Sequence, residues 1–275
     1  MLKLRFLALA LAGALFSFAT HAQYADAVVS YVAGSGVNPG YTDPTRALGA
    51  PTTYIGYQNT DPFNPPYQSA HLVSVGEGGS LIVQFSTPVV NGPSHPFGLD
   101  FIVFGNAGFV ITNGDYSGGG ITDGSLFANN TGVTRVSVSA DNVTYYTLNP
   151  ALARVVDGLF PTDAAGDFSL PVNPSLSNGD FAGKDLTGIR SLYAGSGGGT
   201  GYDISWAQDS GGQGVFLSSI SFIRVDVLSG KSEVDAFSVV PEPGTFAMVL
   251  LGAGLLLLSR PRAINPPKAG PRKPR

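Results

Sequence analysis

The stretch "VTRVSVSADNVTYYTL", residues 133 to 148, decides the fold. In its first half Val136 and Val138 alternate with polar residues, the period of two that lays one face of a strand on a core. Asp141-Asn142 then supplies residue types that tolerate the positive backbone dihedrals of a tight hairpin turn. The second half, "VTYYTL", returns to the β-branched and aromatic residues that fit a pleated surface. The segment predicts an antiparallel hairpin.

Working outward, "SLIVQF" (80–85), "LDFIVFG" (99–105), "SFIRVDVL" (221–228) and "VDAFSVV" (234–240) read as further strands. In "SFIRVDVL" the alternation separates Phe222, Arg224, Asp226 and Leu228 from Ile223, Val225 and Val227, and the second set is expected to face the core. The 37 glycines and 20 prolines demand many turns yet stay below the composition of a disordered chain. No window of twelve residues between 23 and 240 carries a 3.6-residue apolar period, so helices are expected to be few and short. The predicted architecture is all-β, an antiparallel β-sandwich with long Gly-rich loops.

The two ends of the chain read differently. Lys3 and Arg5 precede an apolar run from Phe6 to Phe18 and the small-residue stretch Thr20-His21-Ala22, the order of a secretory signal peptide with cleavage between Ala22 and Gln23. Near the other end, Thr245 to Ser259 form a 15-residue apolar run between Pro241-Glu242-Pro243 and the basic pair Arg260 and Arg262. A spanning helix needs about 20 residues, and roughly 17 are reached if Pro243-Gly244 enters the interface. The six tail charges are all positive, which places the tail on the cytoplasmic side and the domain outside. The chain thus divides into a signal peptide (1–22), a β-sandwich domain (23–240), a motif with its apolar and basic segment (241–262) and a basic Pro-rich tail (263–275).

Charge narrows the partners. Residues 23–240 hold seven basic residues against 18 acidic ones, a net charge of about −11. Nucleic-acid binding needs a basic face, so it is not expected. There is no cysteine, which excludes disulfides, thiolate metal sites and cysteine nucleophiles. Sixteen of the 18 acids are Asp, a former of surface turns and also a ligand for hard cations.

Catalytic patterns do not emerge. "GGTGYDISW" (198–206) approaches the calcium-binding nonapeptide of β-rolls, but Ser205 stands at its large apolar position, and a single copy cannot share ions between stacked turns. Neither phosphate-binding glycine pattern is present. Beyond the signal peptide the only histidines are His71 and His95, and neither is accompanied by a G-x-S-x-G elbow. Each is expected to be structural or to face solvent. Tyr24, Tyr31, Tyr41, Tyr54, Tyr57 and Tyr67 crowd a Pro- and Asn-rich stretch, as edge-covering rings or as rings that stack on sugars. A non-enzymatic role is expected, with a secreted hydrolase acting on polysaccharide through Asp residues as the alternative.

At the C-terminal end, Val240-Pro241-Glu242-Pro243-Gly244, the apolar segment and the arginine cluster resemble the PEP-CTERM sorting signal of Gram-negative bacteria. The resemblance implies handling by an exosortase-like membrane cysteine transpeptidase, with Pro241, Glu242 and Pro243 as the recognition motif, in organisms that build exopolysaccharide. It further implies a transient stay in the inner membrane and delivery to the cell surface or to an extracellular biofilm matrix. The basic tail extends past the usual arginine cluster.

A second resemblance spans the core. "VVSYVAGSGVNPGYTDPTRALGAP" (28–51), "GGSLIVQFSTPVVNGP" (78–93), "DFIVFGNAGF" (100–109), "VSVSADNVTYYTL" (136–148), "YDISWA" (202–207) and "EVDAFSVV" (233–240) are similar to segments of exported cell-surface proteins with a discoidin-like, galactose-binding jelly roll. The resemblance implies adhesion or carbohydrate binding, and in some cases a structural calcium ion. With that resemblance, oxygen-bearing residues at strand ends make Asp100, Asn106, Asp203 and Asp235 the candidate calcium ligands, expected to converge on one loop layer.

Overall fold

The computed structural model describes residues 23–128, 132–158 and 160–242. The expected signal peptide, Pro243, the apolar segment and the basic tail lie outside the described residues. Among those described, no helix is long and apolar enough to cross a membrane.

Among the described residues the chain is mostly β, its strands antiparallel and its helices few. Six strands form the largest sheet: β1 (Ala27–Val32), β3 (Ser80–Val90), β11 (Ser219–Ser229), β7 (Val133–Ser139), β8 (Tyr146–Leu148) and β10 (Ala207–Gln208), neighbours in that order. Three shorter sheets accompany it. They pair β12 (Lys231–Val234) with β2 (Val73–Gly76), β13 (Ala236–Val239) with β4 (Phe101–Phe104) and β4 in turn with β9 (Thr200–Tyr202), and β5 (Gly108–Phe109) with β6 (Leu126–Phe127).

Strand β11 occupies the middle of the large sheet, with Ile223 opposite Val83 on one side and Val138 on the other. Its alternation works as expected. Ile223, Val225 and Val227 are buried and Leu228 is exposed, while Asp226 of the outer face is buried beneath its pairs with Arg135 and Arg224. The three core-facing residues share one hydrophobic cluster with Leu81, Val83, Val136 and Val138 of the same sheet and with Val73, Phe101, Val103, Tyr202, Val234 and Phe237 of the shorter sheets. Two β layers therefore bury their inner faces against each other, consistent with a β-sandwich.

The hairpin of β7 and β8 is present, with Ser137 opposite Thr147. Asn142 has φ 59°, the left-handed conformation that Asn tolerates, and the Asp141 carboxylate accepts from the N–H groups of Val143 and Thr144. Those two bonds spend residues 143–145 on the turn, so the strand begins only at Tyr146. "VDAFSVV" is likewise divided. Asp235 lies between β12 and β13, turning its buried carboxylate to Thr52. Strand β1 falls within the Tyr-rich stretch that has no strong strand pattern, and Tyr31 on it donates to the carbonyl of Ser74.

A satellite core lies beneath two short helices, α1 (Asn178–Phe181) and α2 (Leu186–Tyr193). Asp185 caps α2 by accepting from the Gly188 N–H, and Ile189 and Tyr193, one turn apart, are buried among Phe63, Phe109, Phe160 and Phe181.

Candidate functional site

The end of the domain is built into its own wall. Strand β13 carries the chain out, the Val239 N–H donating to Gln23 and the N–H of the buried Val240 donating to the Asp100 carbonyl. Pro241 is half-buried and Glu242 is exposed. Beside them His95 Nδ1 lies 2.7 Å from Asp100 Oδ1, with side chains 1% and 0% exposed, and His95 Nε2 stands 3.6 Å from Glu242 Oε1. An ionised Asp100 requires the proton on Nδ1, which leaves Nε2 as the nitrogen turned to Glu242.

Asp100 is the anchor of this corner. Its Oδ1 also accepts from the Gly92 N–H at 2.9 Å and its Oδ2 from the Ile204 N–H at 2.8 Å. Burial pushes the carboxyl up from the ordinary Asp range despite these three donors, and the nearby charge of Asp203 adds to the push. Gly92 is needed for the close approach, because a Cβ there would lie 2.5 Å from His95 Nε2 and 2.8 Å from Glu242 Oε1. His95 is thus structural and buried. His71, half-buried in the turn before β2, has an Nδ1 without a hydrogen-bond partner, and burial lowers its pKa.

The four candidate calcium ligands do sit at strand ends, but at two different ends. Phe101 pairs with Tyr202, so Asp100 and Asp203 flank one end of β4. Ala236 pairs with Phe104, so Asp235 lies with Asn106 near the other end. A four-residue strand separates the ends by roughly 10 Å, whereas calcium holds its oxygens at about 2.3–2.6 Å. The four do not converge on one loop layer. Each is also engaged locally. Asp203 accepts from the Ser205 N–H, Asp235 from the Thr52 N–H and hydroxyl, and Asn106 donates to the buried Glu233. Among the described residues no group of three or more His, Asp or Glu is placed to hold a metal ion.

A cavity of about 290 Å³ opens elsewhere, between residues 58–64, the loop 111–120 and the start of α2. Phe63, Ile111 and Leu186, all part of the satellite core, form its apolar floor. Its wall is polar, with Gln58, Asp61, Asn64 and Asp115, and Tyr116 stands at the rim with 80% of its surface exposed. The loop is tied by its own bonds. Thr112 N–H donates to the Ile121 carbonyl, Asn113 Oδ1 accepts from the N–H groups of Asp115 and Ile121, and Asn113 Nδ2 donates to the Gly119 carbonyl. No sequence motif marks these residues. They come from three separate segments, and the only signal available was the Asp and Tyr content of the turns. The Tyr residues singled out by composition divide: Tyr54, Tyr57 and Tyr67 are exposed, while Tyr24, Tyr31 and Tyr41 are half-buried.

No protein-family model matches this chain, and no curated protein matches it.

Proposed function

We propose that this is an exported, non-enzymatic protein of the cell surface or extracellular matrix, sorted through its Pro-Glu-Pro motif by an exosortase-like transpeptidase. On this reading the sandwich is a jelly roll of the discoidin-like type that serves a structural or adhesive role in an exopolysaccharide matrix. The observation that carries it is the position of the motif. The last strand ends at Val239, Val240 is buried, and the chain emerges at Pro241-Glu242, directly after the completed sheet. Cutting at that point releases the domain whole. Proline at 241 biases the chain leaving the sheet to an extended form, the conformation a processing enzyme grips. The non-sequential strand order β3-β11-β7, which needs long crossing connections, supports the jelly-roll assignment.

Intact-mass analysis of the protein from its native host tests the reading. The expected species starts at Gln23 and lacks the residues that follow the motif. A mature protein that still carries residues 244–275 overturns it.

A further inference from the structure

The cavity beside Tyr116 has the chemistry of a site for a neutral saccharide. We propose that it binds one or two uncharged sugar units of a polysaccharide chain, the ring of Tyr116 stacking on a sugar face and the carboxylates of Asp61 and Asp115 receiving the hydroxyls. The proposal rests on the matrix reading above and gives it a ligand and a place.

Three features carry it. The volume, about 290 Å³, stands at the small end of ligand pockets, which run from roughly 300 to 1,000 Å³. An exposed aromatic ring and apolar lining residues suit the C–H face of a sugar, while the polar lining offers hydrogen-bond partners for its edge.

Rigidity is the third. Asp61 Oδ1 accepts from the N–H groups of Phe63 and Asn64, which fixes that wall, while the opposite loop is closed by its internal bonds. A ligand therefore finds the groups already in place and bears little ordering cost.

The charge selects among sugars. Two carboxylates and no basic residue line the cavity. The hydroxyl and N–H of Ser117 hold Asp115 below the usual carboxylate range, so it is ionised at neutral pH. Arg190, which feels the charge of Asp61, is committed to a two-point pair with Asp163 at 2.7 and 2.9 Å. Anionic sugars such as uronates meet repulsion here, whereas carboxylates are good acceptors for neutral hydroxyls.

The test is calorimetric titration of the full chain, purified in a detergent without a sugar headgroup, with neutral oligosaccharides (maltohexaose, cellohexaose and galactan oligomers) and with polyuronate oligomers of equal length. The proposal expects binding of at least one neutral series and none of the uronates. Tyr116→Ala should weaken binding about five- to ten-fold, the worth of one lost ring contact, and Tyr116→Phe should keep it. The ring is so exposed that neither change endangers the fold. Binding that Tyr116→Ala leaves untouched, preference for uronates, or no binding to any neutral series overturns the site. Those results leave intact the mass-spectrometric test of sorting, so the two readings fail separately.

Discussion

His95 Nδ1 and Asp100 Oδ1 lie 2.7 Å apart with both side chains withdrawn from water, although His95 sits in a Pro- and Ser-rich turn. The pair joins that turn to the start of β4, and through the Asp100 carbonyl to Val240. Asp100→Ala strands the Gly92 and Ile204 N–H groups as well as His95, and each buried donor left unpaired costs about 1–3 kcal/mol. The expected loss is therefore at least about 3 kcal/mol, against about 1–3 kcal/mol for His95→Ala. Urea unfolding of both single variants and the double variant measures this, and the double should lose less than the sum because the two share one interaction.

Asp235 predicts how stability depends on pH. Burial pushes its carboxyl up to about 7, against the pull of the Thr52 N–H and hydroxyl, from a value of 3.8 in the open chain. Across that window the folded protein holds a proton that the unfolded chain has released. The stabilisation is thus complete below the unfolded value and is lost as pH rises through about 7, by a few kcal/mol at most. Asp235→Asn copies the protonated acid, with an oxygen for the Thr52 N–H and an N–H for the Thr52 hydroxyl. Urea midpoints followed from about pH 4 to pH 8 should fall more steeply in the wild type than in Asp235→Asn.

Gly34 and Gly36 form a matched pair. Both have positive φ, 74° and 77°, yet a Cβ on Gly34 would meet the Gly76 carbonyl oxygen at 2.4 Å and the Gly79 nitrogen at 2.6 Å, whereas one on Gly36 meets nothing within 4 Å. Gly36→Ala should cost about 1 kcal/mol for its left-handed backbone. Gly34→Ala adds a collision with backbone that cannot yield, and should cost about 3 kcal/mol or more. Thermal melts of the two variants compare them.

Calcium provides a fourth test. Asp100 and Asp235 spend their oxygens on internal donors, and the two lie near opposite ends of β4. An ion there would have to displace bonds that already hold the fold. The expected melting temperature is the same in millimolar calcium and in chelator, because only a bound ion stabilises the native state. A rise with calcium would place an ion at one of these corners.

Much of the large sheet was legible because the period of two is local. Val136, Val138, Ile223, Val225 and Val227 declare their buried face, and Asn142 declares its turn. Strand β1 was hidden because Tyr, Pro and Asn around it mask the alternation. The break at Asp235 was hidden for another reason: "VDAFSVV" alternates without interruption, and only Thr52, 183 residues away, shows why the strand stops. His95 reads as a surface turn until its buried pair with Asp100 is seen. The cavity wall is the extreme case, since Gln58, Asp115 and Leu186 meet only in three dimensions. Strand-end placement of the four candidate calcium ligands was legible, but which end each one shares follows from pairing register alone.

The ladder at the domain's edge, Val239 N–H to Gln23 carbonyl and Ala25 N–H to Phe237 carbonyl, also has a mechanical side. The chain enters and leaves the domain side by side on antiparallel neighbours, so force pulling the two ends apart peels their hydrogen bonds one at a time rather than shearing them together. Held by both ends between moving supports, the sandwich would open from this corner like a zip. Held by one end only, it has no line of tension through it, and the same corner becomes a safe point of suspension.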